Sequence, residues 1–342
     1  MSSSPHITRL TLASFVVVAC FAATLMVGCD RKADDSSRSD AATPNKAKPL
    51  VCTTFYPTTY FAQRIGGDWI EVSCPCPSDA DPIFWLPDAK ALETYQKADL
   101  IIVNGASFEK WLTKVSLPQS RVVDTAKPFE ESFIVIESSV THSHGPEGKH
   151  THEGIDGHTW LDPINAKTQA SQIENALIKH FPTHKDAFKA GHLSLVKDLD
   201  ALDAKLKSVS TKLSDQTLLC SHPAYNYLAR RYGWKIKNFH LDPETMPDDQ
   251  TITKIKLFLG EQPASLMLWE AEPAKEIATW FETQLDIKSI VFSPCEGLDP
   301  ADITKGTTYF SVMNANIDTL GKVLSEMSSK AVAPPPEQAA QE

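Results

Sequence analysis

Several chemistries leave no trace in this chain. It has no G-x-S-x-G elbow and no phosphate-binding loop, and no thioredoxin-type C-x-x-C supports redox catalysis. The segment HEGIDGH at 152–158 lacks the second histidine of H-E-x-x-H, because Asp156 stands in its place. A metallohydrolase therefore has no helical ligand pair to build on. Excess positive charge is also missing. The net charge is −10, which argues against nucleic acid as a partner and mildly favours cations. The apolar stretch Leu10 to Val27 is too short, and too rich in Ala, Ser and Thr, to make a good membrane span.

What is present is histidine, and it is unevenly placed. His142, His144, His150, His152 and His158 crowd into 142–158, although the whole chain has 11 histidines. Imidazole is the commonest protein ligand for Zn²⁺ and its neighbours. A glycine- and acid-rich run of this kind, 141–158, predicts a flexible metal-capturing loop.

Residues 1–28 read as a targeting segment that is removed. Their end, Met26-Val27-Gly28-Cys29, resembles the lipobox of bacterial lipoproteins, in which Cys29 is lipidated and becomes the mature N-terminus. Asp30 after that cysteine implies retention at the inner membrane, so the expected location is periplasmic and lipid-anchored. Residues 29–48 are charged, small and proline-containing, a disordered tether, and 329–342 form a disordered tail. About 280 residues remain to fold, large for one core. Cysteines 52, 74, 76, 220 and 295 fall in that part; one or two disulfides are compatible with it, without a readable pairing.

Strands alternate with helices over 49–180 and again over 213–328, which predicts two similar α/β lobes with parallel sheets covered on both faces. Between them lies a helical stretch broken at Pro182, with Thr183 as the expected cap of its second piece. There Phe188, His192, Leu195, Leu199, Leu202, Leu206 and Val209 recur at three- and four-residue steps. A helix over 183–212 of that length reads as a rigid spine joining the lobes.

Ligands of open parallel sheets bind beyond the carboxyl ends of the strands. His222, His240 and Glu270 each follow a predicted strand, and His158 precedes the helical half. Together they predict a cation site of three or four ligands: a core of His158, His222 and Glu270, completed by His240 or a histidine of the tract. His142, His144, His150 and His152 form the expected secondary capture site.

At these segments the chain resembles the substrate-binding lipoproteins of zinc and manganese ABC transporters, the cluster A-I, ZnuA-like group. The likeness spans roughly 49–322 and rests on FYP, DADPIFWLPDAKAL, KADLIIVNGASFEKW, HTWLDP, SHPAYNYLARRYG and VFSPCEG. It implies two α/β lobes linked by one helix, with metal held in the cleft. It implies too a monomer, not an enzyme, that delivers Zn²⁺ to a permease and its ATPase. The family's second and third histidine ligands fall on His158 and His222. Its first histidine is Ile83 here and its last aspartate is Ser293, neither of which replaces the lost ligand. The alternative is a member that binds manganese, iron or a small molecule, with Phe84-Trp85 lining the pocket.

Overall fold

Runs such as Leu100–Val103 and Thr217–Cys220 are buried at every position, as strands must be when both faces of a parallel sheet are covered. The structure, a computed structural model, describes residues 47–143, 149–213 and 216–332. The targeting segment 1–28, Cys29, most of the tether and His144 lie outside the described residues.

The first lobe is built from β1 (Leu50–Thr53), α1 (Tyr56–Gly66), β2 (Glu71–Ser73), α2 (Ala89–Lys97), β3 (Leu100–Val103) and β4 (Val122–Asp124). Its sheet has the order β2-β1-β3-β4, with every pairing parallel. A hairpin follows, β5 (Val135–Ser143) and β6 (Lys149–Ile155), which pair antiparallel with His142 opposite His150 and Val140 opposite His152. The predicted flexible loop is thus framed by strands: β5 carries the strand formers Val135, Ile136, Val140 and Thr141, and only β6, KHTHEGI, is poor in them.

Next come α3 (Pro163–His180) and α4 (Lys185–Ser210). Asp162 caps α3 by accepting the Ile164 N–H. Thr183 does not cap α4: it sits in a 3₁₀ turn, and His184 precedes the helix without a side-chain bond. The 26 residues of α4 extend it to about 39 Å. The second lobe comprises β7 (Thr217–Cys220), α5 (Asn226–Tyr232), β8 (Lys235–Asn238), α6 (Asp249–Glu261), β9 (Ala264–Trp269), α7 (Lys275–Leu285), β10 (Lys288–Val291), α8 (Pro300–Thr304) and α9 (Tyr309–Val332). Its sheet, β10-β9-β7-β8, is again wholly parallel. The helix α9 runs to Val332, so 329–332 belong to it and not to a disordered tail.

Alternation along the strands sorts each sheet into an inner and an outer face. Val51, Leu100 and Ile102 of the first sheet share one core with Leu218, Leu266, Leu268 and Ile290 of the second. Phe188, Leu195, Leu199, Leu202, Leu206 and Val209 of α4 join that core, so the spine seals the lobes together. The outer faces bury separate clusters, one around Cys52, Tyr95 and Trp111, the other around Met267, Trp269 and Phe281. Trp85 packs edge-on to Trp111 at 6.0 Å in the first of these. Where α4 crosses α1, Gly191 allows contact: a Cβ there would stand 2.6 Å from the carbonyl oxygens of Arg64 and Ile65. The five cysteines of the described region are all free thiols. No helix among the described residues is long and apolar enough to cross a membrane.

Candidate metal centre

The segments HTWLDP and SHPAYNYLARRYG lock onto each other. Asp162, almost fully buried, takes the Arg231 Nε–H on both carboxylate oxygens, at 2.8 and 2.9 Å. Trp160 donates its indole N–H to the Pro294 carbonyl at 2.8 Å, and the Tyr309 hydroxyl donates to the Trp160 carbonyl. These bonds tie HTWLDP to the second lobe and set His158 at the seam between sheets.

His158 lies beyond β6 and so stands apart from the hairpin tract; only 2% of it is exposed. Its Nδ1–H donates to Asp156 Oδ1 at 2.7 Å, and its Nε2 lies 2.9 Å from Glu296 Oε1. His222, 4% exposed, follows β7, with its ring centroid 5.3 Å from that of His158 and the planes nearly perpendicular. Its Nδ1 stands 3.0 Å from Glu270 Oε2. Among the described residues, His158, His222 and Glu296 form the group whose ligand atoms all lie within 4.8 Å of one another. Ligand atoms around a tetrahedral Zn²⁺ stand about 3.4 Å apart, so an adjustment of about 1 Å closes the set.

Glu296 was not anticipated from the sequence, and its placement has a local cause. Ser293 is held by Asn316, which accepts its N–H and donates to its carbonyl. The Ser293 hydroxyl accepts the Cys295 N–H, and Cys295 adopts the left-handed conformation, φ 61°. That turn swings the chain back, and the Glu296 carbonyl accepts the Tyr56 N–H of the first lobe at 3.1 Å. Ser293, where the resemblance led one to expect an aspartate, thus caps a turn, and the carboxylate of Glu296 arrives three residues later. Ile83, where the resemblance implied a first histidine, is buried and walls a small cavity beside Phe108 and His158. His240 follows β8 with φ 53°, and stands outside the converging group.

The electrostatics favour a cation. Burial alone would lower the His158 pKa, but Asp156 and Glu296 outweigh it and raise it to about 10. Burial pushes the Glu270 carboxyl well above the usual range, and repulsion from Glu296 adds to this. A dication between these groups would relieve the repulsion and displace the proton from His158. Burial lowers His240 to about 4, so it stays neutral. The site opens into a cleft of about 350 Å³ whose walls include Asp79, Asp81, His222, Glu270, Glu296 and Asp299.

Two parallel-sheet lobes around a crevice that gathers imidazoles and carboxylates define a bilobal ligand-binding protein. The family described as ZnuA, zinc-uptake complex component A, periplasmic, matches residues 51–323, and the chain belongs to it. That family is one of uptake components, not of enzymes. The high-affinity zinc uptake system protein ZnuA of Bacillus subtilis (strain 168) is 28% identical over 318 residues, covering 90% of this chain and 95% of its own. The zinc-binding lipoprotein AdcA of Streptococcus pneumoniae is 27% identical over 83% of this chain, which spans 57% of AdcA. Among solved structures, the metal-dependent lipoprotein YcdH of Bacillus subtilis aligns at TM-score 0.69 and 25% identity, over 80% of this chain and 98% of that one. The Zn(II)-bound ZnuA-like domain of Streptococcus pneumoniae AdcA, 23% identical at TM-score 0.69, shares the fold over 81% of this chain and 98% of its own.

Proposed function

We propose that this protein captures Zn²⁺ in the periplasm with His158, His222 and Glu296 and delivers it to an ABC permease driven by an ATPase. The observation that carries the reading is the convergence of two buried imidazoles and one carboxylate at the mouth of an acidic cleft. A metal-bound imidazole donates its other nitrogen to a carboxylate or similar partner. Asp156 accepts from Nδ1 of His158, which leaves Nε2 of that ring to coordinate, and Glu270 stands 3.0 Å from Nδ1 of His222, where it favours the same orientation. Two histidines and a glutamate, with water in the fourth position, form a familiar open zinc set. Relatives named for zinc uptake and zinc binding support the choice of metal. His240 is then outside the site, and His142, His144, His150 and His152 collect ions ahead of it. The protein works as a monomer, anchored to the inner membrane through lipidated Cys29.

One observation favours a second reading. The imidazole expected at Ile83 is lost while a carboxylate, Glu296, stays in the set, a change that moves preference toward manganese or iron. Titration calorimetry with Zn²⁺ and Mn²⁺ on the wild type, His158→Ala and His222→Ala separates these outcomes. The proposal expects one tight zinc site per chain, weakened at least tenfold in each variant. Tighter binding of Mn²⁺ would favour the second reading, and unchanged zinc binding in both variants would remove the site.

A further inference from the structure

Asp156 touches more of this centre than its position in the chain suggests. It is 1% exposed, directly after β6, and its backbone is pinned by its own N–H to the Ile134 carbonyl and by the Tyr227 hydroxyl to its carbonyl. One carboxylate oxygen, Oδ1, accepts both the His158 backbone N–H at 2.9 Å and Nδ1–H at 2.7 Å. The other, Oδ2, accepts Asn226 Nδ2–H at 2.9 Å. That same amide nitrogen donates to the Pro223 carbonyl at 3.0 Å, the residue after His222. Both acceptors lack a proton to give, so the orientation of the Asn226 amide is forced.

We infer that Asp156 is the positioning residue of the centre, fixing His158 directly and the His222 segment through Asn226. The inference rests on the functional reading above, in which both imidazoles hold the ion. The carboxylate keeps the proton of His158 on Nδ1, leaving Nε2 to coordinate. By holding the turn at Pro223 with its second oxygen, it sets the spacing of two histidines that come from different lobes. A ligand pair separated by 64 positions in sequence (158 to 222) is thereby registered by a single side chain.

The test uses the full chain with Asp156→Asn, Asn226→Ala and the double variant. Zinc affinity is read by competition with a chromophoric chelator, and the number of bound imidazoles by zinc K-edge X-ray absorption. Removing an outer partner of a metal-bound histidine typically weakens binding about 10–100-fold. D156N is expected in that range with fewer than two imidazoles on the zinc. N226A is expected to lose about tenfold, and the double variant to bind no worse than D156N, because the two changes cut one connection. Should D156N fail to fold, N226A alone decides: affinity and imidazole count equal to wild type overturn the inference. Wild-type binding by D156N, or losses that multiply in the double variant, overturn it too while leaving the zinc site standing. A wild-type chain that binds no zinc overturns the functional reading and this inference together.

Discussion

Replacing Glu296 by glutamine separates charge from shape at the metal centre. The substitution keeps the side-chain length and an acceptor for His158, whose Nε2 lies 2.9 Å from Oε1. It removes the negative charge that sits within 4.8 Å of both imidazole ligand atoms. Truncating one member of a buried charge pair costs about 2–5 kcal/mol, and a central figure of about 3 kcal/mol weakens zinc roughly a hundredfold. Bound ligand stabilises the fold by RT ln(1 + [L]/Kd), so a hundredfold loss at saturating zinc withdraws about 2.7 kcal/mol. At about 2–4 °C per kcal/mol, the zinc-induced rise in Tm should shrink by roughly 5–10 °C. Differential scanning fluorimetry over a range of free zinc, buffered by a chelator, measures this. Glu93→Gln is the control, since that exposed carboxylate pairs with Lys97 on the surface of α2, and its zinc response should match wild type. A full zinc-induced rise in E296Q at every zinc concentration would refute the reasoning.

Three other outcomes follow from the same contacts. Glu109 accepts bonds from Thr54, Asn104 and Gly105, yet burial outweighs them and raises its pKa from 4.5 to about 7. The folded state therefore keeps a proton that the unfolded state loses, so this group's contribution is complete below about pH 4.5 and is lost as pH rises through 7. The loss is about 3 kcal/mol, and guanidinium unfolding at pH 4.5 and 8 should show that Glu109→Gln flattens it; an unchanged slope would refute the assignment. Gly191→Ala, which in an open helix gains about 1 kcal/mol, should instead lower stability by about 1–3 kcal/mol in thermal unfolding, because the new Cβ meets backbone of α1. Deleting 142–152 should lower the zinc stoichiometry but spare the tight site, since His158 is held by Asp156 beyond the hairpin; loss of all binding would place the site in the tract.

The architecture was readable because it depends on periodicity. Apolar runs such as Leu100–Val103 and the stripe from Phe188 to Val209 write their partners directly into the chain. The helix α2 spans Ala89–Lys97, with Asp88 accepting the Ala91 N–H as cap, one of the helices that the alternation over 49–180 predicts. Convergence of His158 with His222 was legible too, because each sits at a sequence-specific segment beside a strand end. Glu270 was placed correctly at the end of β9, but its contact is with Nδ1 of His222, while the triad takes Glu296. Nothing local announces Glu296. Its arrival depends on a left-handed Cys295 and on a bond from Tyr56, 240 positions earlier (56 to 296). The acidic residue within VFSPCEG was the one available signal, three positions after the lost aspartate. The hairpin was harder to read because the strand formers of β5, Val135, Ile136, Val140 and Thr141, face a β6 made largely of His, Gly and charged residues.

The most direct measurement is anomalous diffraction at the zinc edge from crystals soaked in zinc. One strong peak is expected between Nε2 of His158, Nε2 of His222 and the Glu296 carboxylate, at bonding distances of about 2.0–2.2 Å. A crystal whose only zinc peaks lie along 142–152, with those three side chains uncoordinated, would contradict it.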